Sequence, residues 1–215
     1  MKTFLIIGLG RFGKALATEL CAQGNEVLAM DLSEKAVQEV ADKVTHAVAG
    51  DARDPEVLRA IGARNMDCAV VATAADVGSS ALITLNLKEQ GVPQVVGKAH
   101  SDIHRKVLEK IGADQVVFPE KEMALHLAQS LSNEEILNYI ELSGEYSILE
   151  RMVPDSWQGK SLSELNIRAK HHLTVIAIRR GKELIISPGA DARFRAGDSM
   201  LVLGGNHDIE KVENL

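Results

Sequence analysis

The sequence predicts an α/β chain: a doubly wound parallel sheet followed by a smaller α+β domain. Three observations carry this. From residue 3 to about 118, short β-branched apolar runs alternate with helical patterns, and continuously apolar strands are buried on both faces, as in a parallel sheet between helix layers. Several helical patterns close on a glycine (Gly24, Gly91, Gly112), the residue that takes a left-handed terminal conformation without strain. From about Gly144 the texture changes to strands set off by polar turns such as RRGKE and RAGD, a largely antiparallel arrangement.

Taken in order, TFLIIG predicts the first strand and RFGKALATELCAQG the helix that returns from it. EVLAMD and SEKAVQEVADKV form the next pair, then THAVAG and DPEVLRAIGA, where Asp54-Pro55 supplies a cap and a proline for the first helical turn. DCAVVAT leads into DVGSSALITLNLKEQG, QVVGKA into SDIHRKVLEKIG, and QVVFP completes a six-strand unit. EKEMALHLAQSLSNEEILNYIEL has apolar residues at three and four and predicts one long helix that belongs to no further strand–helix pair. Its apolar face must be buried somewhere, and the flanking helices already cover the sheet, so a partner is expected. EYSILERMVP, LTVIAIRR, KELIISP and SMLVLGG predict the strands of the second domain, with SLSELNIRAK and HDIEKVEN as its helices. The domain boundary falls at 140/141.

The composition excludes several classes. The apolar fraction is 46%, charged residues are 25% and the net charge is −6, with no run of five like charges, so the basic stripe of a nucleic-acid binder is missing. Arg179-Arg180 reads as a turn. Cys21 and Cys68 sit in apolar segments and read as small buried hydrophobes in a reducing compartment. Met1 runs directly into a strand without a cleavable leader, and no apolar stretch reaches the ~18 residues a membrane span needs. A soluble, cytoplasmic protein is expected.

Gly8, Gly10 and Gly13 spell G-x-G-x-x-G between the first strand and first helix. A phosphate loop would need a hydroxyl after Lys14 to hold magnesium, and Ala15 stands there. A Rossmann dinucleotide-type site needs strand, glycines, helix, strand and a terminal acid; Asp31 ends the second strand and supplies the acid for ribose hydroxyls. Arg11, among the glycines, is placed to reach phosphate. Asp51, Ala52, Thr73 and Lys98 stand at or just after carboxyl ends of strands, where open α/β sheets bind ligands. His100 and His104 have the spacing of a helical metal pair, yet no third ligand accompanies them, and solvated histidines are the expected reading. No nucleophile, metalloprotease or acid–base motif is present.

IIGLGRFG, Asp31, THAVAGDA, and GKAHSDIHRKVLEKIGADQVVFPEKEMA resemble the RCK domains, regulators of potassium conductance, in the form carried by bacterial potassium-uptake subunits (TrkA-N followed by TrkA-C). ILNYIELSGEYSILE and NIRAKHHLTVIAI resemble the connecting segment and the C-terminal module, so the likeness covers essentially the whole chain. The resemblance implies a nucleotide-binding lobe, a crossover helix exchanged in a homodimer, an octameric ring of dimers, and docking on a KtrB-like membrane potassium-translocating subunit. It implies ATP or ADP as ligand, with NAD(H) able to bind the same fold. By motif, Gly8, Gly10, Arg11, Phe12 and Gly13 face the phosphates, Asp31 the ribose, Asp51, Ala52 and Thr73 the adenosine end, and Lys98 and Ala99 close the site. Glu120 corresponds to an acid near the γ-phosphate across the dimer, where a divalent or monovalent cation bridges. Asp51 stands where the family's subunits carry Asn. The C-terminal module implies a cyclic di-AMP site at Asn166, Ile167, Arg168 and Ala169, with Ile176 and Pro188 as wall. A small NAD-dependent oxidoreductase and a redox-sensing repressor are the alternatives; the first lacks an identifiable catalytic residue, the second a basic helix.

Overall fold

The computed structural model describes residues 1–73, 76–132 and 136–213, and the chain divides into two compact units, Met1–Lys121 and Glu122–Leu215. In the first, strands β1 (Thr3–Ile7), β2 (Glu26–Asp31), β3 (His46–Ala49), β4 (Cys68–Val71), β5 (Gln94–Lys98) and β6 (Gln115–Val117) form one parallel sheet. Their order is β3-β2-β1-β4-β5-β6. The order reverses between β1 and β4, and at that switch point the loops diverge and leave a crevice at the carboxyl edge. Both faces of the sheet are dry: Leu5, Ile7, Ala69, Val71 and Val95 pack in one cluster, Ile6, Val27, Ala29 and Val70 in the other. This is why those strands read as unbroken apolar runs rather than as alternation.

The helices between them are α1 (Arg11–Ala22), α2 (Glu34–Gln38), α3 (Pro55–Ala60), α4 (Val77–Glu89) and α5 (Asp102–Lys110). Gly24, Gly91 and Gly112 take the left-handed conformation after α1, α4 and α5, with φ of 85°, 79° and 100°. Asp54 caps α3 by accepting the Glu56 N–H, with Pro55 at its first position. The helix expected over SEKAVQEVADKV is shorter than its pattern: α2 ends at Gln38, and turns carry Val40 and Val44 into the core.

The expected long helix after Pro119 is corrected. Helix α6 runs Pro119–Ser132, and Ile136–Ser143 is strand β7, paired antiparallel with β8 (Tyr146–Met152). A Gly144-containing turn brings NYIEL back against YSILERM, and ladder pairing overrides the helical period of the segment. A boundary at 140/141 therefore falls inside β7. The second sheet orders β10-β9-β11-β8-β7, with β9 (Thr174–Arg180), β10 (Glu183–Ile186) and β11 (Ser199–Gly205). SLSELNIRAK is two short helices, α7 (Leu162–Leu165) and α8 (Ile167–His171), broken at Asn166 in the left-handed region. The last helix, α9, is Asn206–Glu213. Trp157, Phe194, Leu149, Leu173 and Met200 centre this domain's core.

Arg179 and Arg180 are not turn residues. They lie on β9 and pair with buried acids, Arg179 with Glu150 at 2.6 Å and Arg180 with Asp198 at 2.8 Å. Ser199 also donates to Glu150 at 2.8 Å, so the buried carboxylate is paired and hydrogen-bonded as burial demands.

Candidate nucleotide site

The chain's first turn after β1 cannot be built from other residues. Gly8 has φ +95°, and a Cβ there would lie 2.8 Å from the Thr73 amide nitrogen. A Cβ on Gly13 would lie 1.9 Å from the Gly8 carbonyl oxygen, so α1 packs directly onto the strand. Gly10 differs. Its backbone is extended, and a Cβ there would meet nothing within 4 Å. Packing does not require this glycine, whereas an approaching ligand backbone contact would.

Gly10 is also the cap residue of α1, and no side chain closes that helix start. The first turn carries no acid. Its amides are left to the positive end of the helix dipole, the arrangement that accepts an anion. Beside it, a cavity of about 290 Å³ is lined by Ile7, Gly8, Asp31, Leu32, Gly50, Asp51, Ala52, Arg53, Thr73, Asp76, Ser79 and Ile83. Asp31 is oriented by two amides, Leu9 N–H to Oδ2 at 2.6 Å and Ser33 N–H to Oδ1 at 2.8 Å. Each oxygen keeps a lone pair for a hydroxyl donor.

Of the residues singled out from sequence, the cavity unites Gly8, Asp31, Asp51, Ala52 and Thr73. A second group sits outside its lining. Lys98 Nζ lies 2.6 Å from Glu120 Oε1 and 5.5 Å from the centre of the Phe12 ring. The Lys98 hydrogen bond holds the Glu120 carboxyl below the usual carboxylate range, with a smaller pull from Arg11. Arg11, Phe12, Lys98 and Glu120 thus form one charged rim. Ala99 is fully buried, and its N–H donates to the Val117 carbonyl at 2.8 Å, tying β5 to β6.

Sequence reasoning missed Arg53 and Asp76. Arg53 grips Asp51 with Nε at 2.9 and 3.1 Å and Nη2 at 2.7 Å, and those bonds hold the Asp51 carboxyl low. Asp76 caps α4, accepting from Gly78 and Ser79 N–H at 3.1 and 3.0 Å. Both follow a strand's carboxyl end, the one positional signal that would have flagged them.

His104 corrects the solvated reading. It is fully buried, with Nε2 2.6 Å from Ser80 Oγ and Nδ1 2.8 Å from Nδ1 of the exposed His100. Among the described residues no group of three or more His, Cys, Asp or Glu is placed to hold a metal, and no helix is long and apolar enough to cross a membrane.

In the second domain, Asn166, Ile167 and Arg168 line a smaller cavity of about 170 Å³ with Leu162, Leu173, Thr174 and Val175. Ala169, Ile176 and Pro188 are not part of that lining.

A parallel sheet in the Rossmann order, an open helix start and an acid at the end of β2 are the marks of the nucleotide-binding class of α/β domain, followed here by a small antiparallel domain. Residues 4–119 match the TrkA-N domain model and residues 148–215 the TrkA-C domain model. The chain is 43% identical over 213 residues to Ktr system potassium uptake protein A of Bacillus subtilis, covering 99% of this chain and 96% of that protein. It is 34% identical to Ktr system potassium uptake protein A of Vibrio alginolyticus, covering 94% and 92%. The GsuK RCK domain superposes with a TM-score of 0.58 at 24% identity, over 99% of this chain and 46% of that one, a likeness of fold. The chain belongs to the TrkA-N/TrkA-C family of potassium-uptake regulatory proteins.

Proposed function

We propose that this chain is a cytoplasmic, non-enzymatic regulatory subunit that binds ATP or ADP and sets potassium flux through a KtrB-like membrane partner. The observation that carries the reading is the start of α1, uncapped and closed by a glycine that packing does not need. The cavity supports a nucleoside ligand: Asp31 offers acceptors for a ribose, and Asp51 and Ala52, on the same lining, would meet the base. When bound, the nucleotide supplies phosphate charge, which the α1 amides, Arg11 and Lys98 would hold. Glu120 would repel a γ-phosphate unless a divalent or monovalent cation lay between them. NAD(H) is the competing ligand of the same fold.

Helix α6 supports a homodimer, because Met123, Leu125, Leu127 and Leu131 are each more than half exposed, more apolar surface than a helix ordinarily shows to water. An exchange of this helix between partners, and assembly of dimers into an octameric ring, would cover it. A cyclic di-AMP site at Asn166, Ile167 and Arg168 is a second ligand reading, favoured by the cavity those residues line.

A ligand shifts a conformational equilibrium only by its differential affinity for the two states, so ATP must contact one ring shape better than the other. Titration of the purified chain with ATP, ADP and NADH, followed by small-angle scattering and by potassium flux in liposomes carrying the membrane partner, tests the reading. Nucleotide-specific scattering and higher flux with ATP are expected. Hydride turnover with NADH, or identical flux with both nucleotides, would overturn it.

A further inference from the structure

Beside the nucleotide cavity lies a chain of three polar side chains that its binding chemistry does not use. Ser80 on α4 and His104 on α5 are both fully buried, and His100 stands exposed in the segment between β5 and α5. The proton positions follow from the hydrogen bonds. Ser80 Oγ donates its one proton to the Val77 carbonyl at 3.2 Å, so it accepts from His104 Nε2–H. His104 Nδ1 is then a bare lone pair, and His100 Nδ1–H must donate to it. The arrangement tolerates a second proton on the exposed side of His100. It does not tolerate charge on both imidazoles, because His104 Nδ1–H and His100 Nδ1–H would then face each other as two donors at 2.8 Å.

The tie joins two parts of the nucleotide site. Ser80 follows Ser79, which lines the cavity. His100 is two residues beyond Lys98, whose ammonium meets Glu120 and Phe12 at the rim. We propose that the Ser80–His104–His100 tie positions Lys98 beside the nucleotide cavity and releases it when both imidazoles are protonated, so that nucleotide affinity falls as pH falls.

This rests on the nucleotide reading of the cavity and adds a regulation to it. Burial, and then the like charge of His100, hold the His104 imidazole below its ordinary value of 6.5. Among the described residues His100 is the titratable group that acts on it; α4 presents the neutral Ser80, and α5 presents Ser101, which accepts the His104 N–H. Of the charged neighbours along the chain, Lys98 is paired with Glu120, Asp102 is paired with Lys121, and Arg105 follows His104 on α5.

The test is calorimetric titration of the full chain with ATP from about pH 8 to about pH 5, in wild type and in His100→Gln. His100 is exposed, so this variant is not expected to disturb folding, and glutamine keeps a donor toward His104 while removing the like charge. The ligand's own titration is common to both chains. Wild-type affinity should fall below pH 6.5 by up to about tenfold per pH unit, the limit for one linked proton. In His100→Gln the fall should be lost, because the amide oxygen can accept from a protonated His104, while affinity at pH 8 stays unchanged. ATP should also lower the pH at which the His104 imidazole titrates by nuclear magnetic resonance, a reciprocal effect that a purely structural histidine would not show. Superimposable curves for the two chains with tight binding at pH 8 would overturn this inference and leave the nucleotide reading standing. No ATP binding at any pH would overturn both.

Discussion

The starts of α1 and α4 flank one cavity, yet the chain closes them in opposite ways. Asp76 caps α4 with both carboxylate oxygens and also accepts from the Ser79 hydroxyl at 2.5 Å, bonds that hold its carboxyl below the usual range. Helices α2, α3 and α5 are likewise closed by Ser33, Asp54 and Ser101. Only at α1, among these five, does no side chain cap the first turn. A helix start with glycine in place of a hydrogen-bonding cap forgoes a few tenths of a kcal/mol and leaves its first amides open to another acceptor. On the proposed function, the difference separates amides used for stability from amides that would meet an anion.

Four substitutions break or sharpen that contrast. The largest effect belongs to Gly13→Ala. Its methyl would stand 1.9 Å from a backbone carbonyl that cannot rotate away, so the loss should exceed the usual overpacking cost of about 1–3 kcal/mol and abolish ATP binding. Urea unfolding of the full chain reads it, and wild-type stability would refute the direct packing of α1 on β1.

Gly10→Asp comes next and should split stability from binding. The new Cβ meets nothing within 4 Å, and an aspartate at this position should cap α1 and suit its dipole, so stability should hold or rise by a few tenths of a kcal/mol. ATP affinity should drop by about 1.5–3 kcal/mol, the range of a charge-assisted hydrogen bond. Unchanged affinity in calorimetry would mean that α1 binds no phosphate.

Asp76→Ala is the mirror experiment. Opening α4 should cost about 0.5–2 kcal/mol of stability with little change in ATP affinity, and an equal loss of both would merge the two helix starts into one role.

The smallest effect comes from the second domain, where α7 is closed by a capping box: Ser161 and Glu164 serve each other's amides. Arg193 and the box hold Glu164 at about 2. A depressed carboxyl contributes stability that is present above its ordinary value of 4.5 and is lost as pH falls from there toward about 2. Arg193→Gln should therefore lower stability slightly at neutral pH, the pair being exposed, and not near pH 2, which flattens the acid limb of a thermal-melting profile.

The glycine fingerprint, Asp31 and the six strands of the first sheet were legible because each is a local signal with a local cause: continuous apolar runs, a left-handed glycine after a helix, an acid at a strand end. Residues 136–143 were not legible as a strand. Their apolar spacing fits a helix, and only the hairpin with β8 supplies the ladder that decides the matter. The site shows the same division. Asp51 and Ala52 were found by position, whereas the guanidinium of Arg53 gripping Asp51 is a side-chain pairing that no spacing rule encodes.

By itself, then, the chain's order of residues determined the parallel sheet, the glycine turn after β1, and the family. Tertiary structure alone decided where α6 ends and β7 begins, that Asn166 breaks a helical pattern, that Arg179 and Arg180 neutralise buried acids, and that His104 is dry. The reason is physical. Backbone conformation and strand burial answer to neighbours along the chain, whereas the environment of a charge or an imidazole is set by groups far away in sequence, such as Ser80, 24 residues from His104, or Glu150, 29 from Arg179.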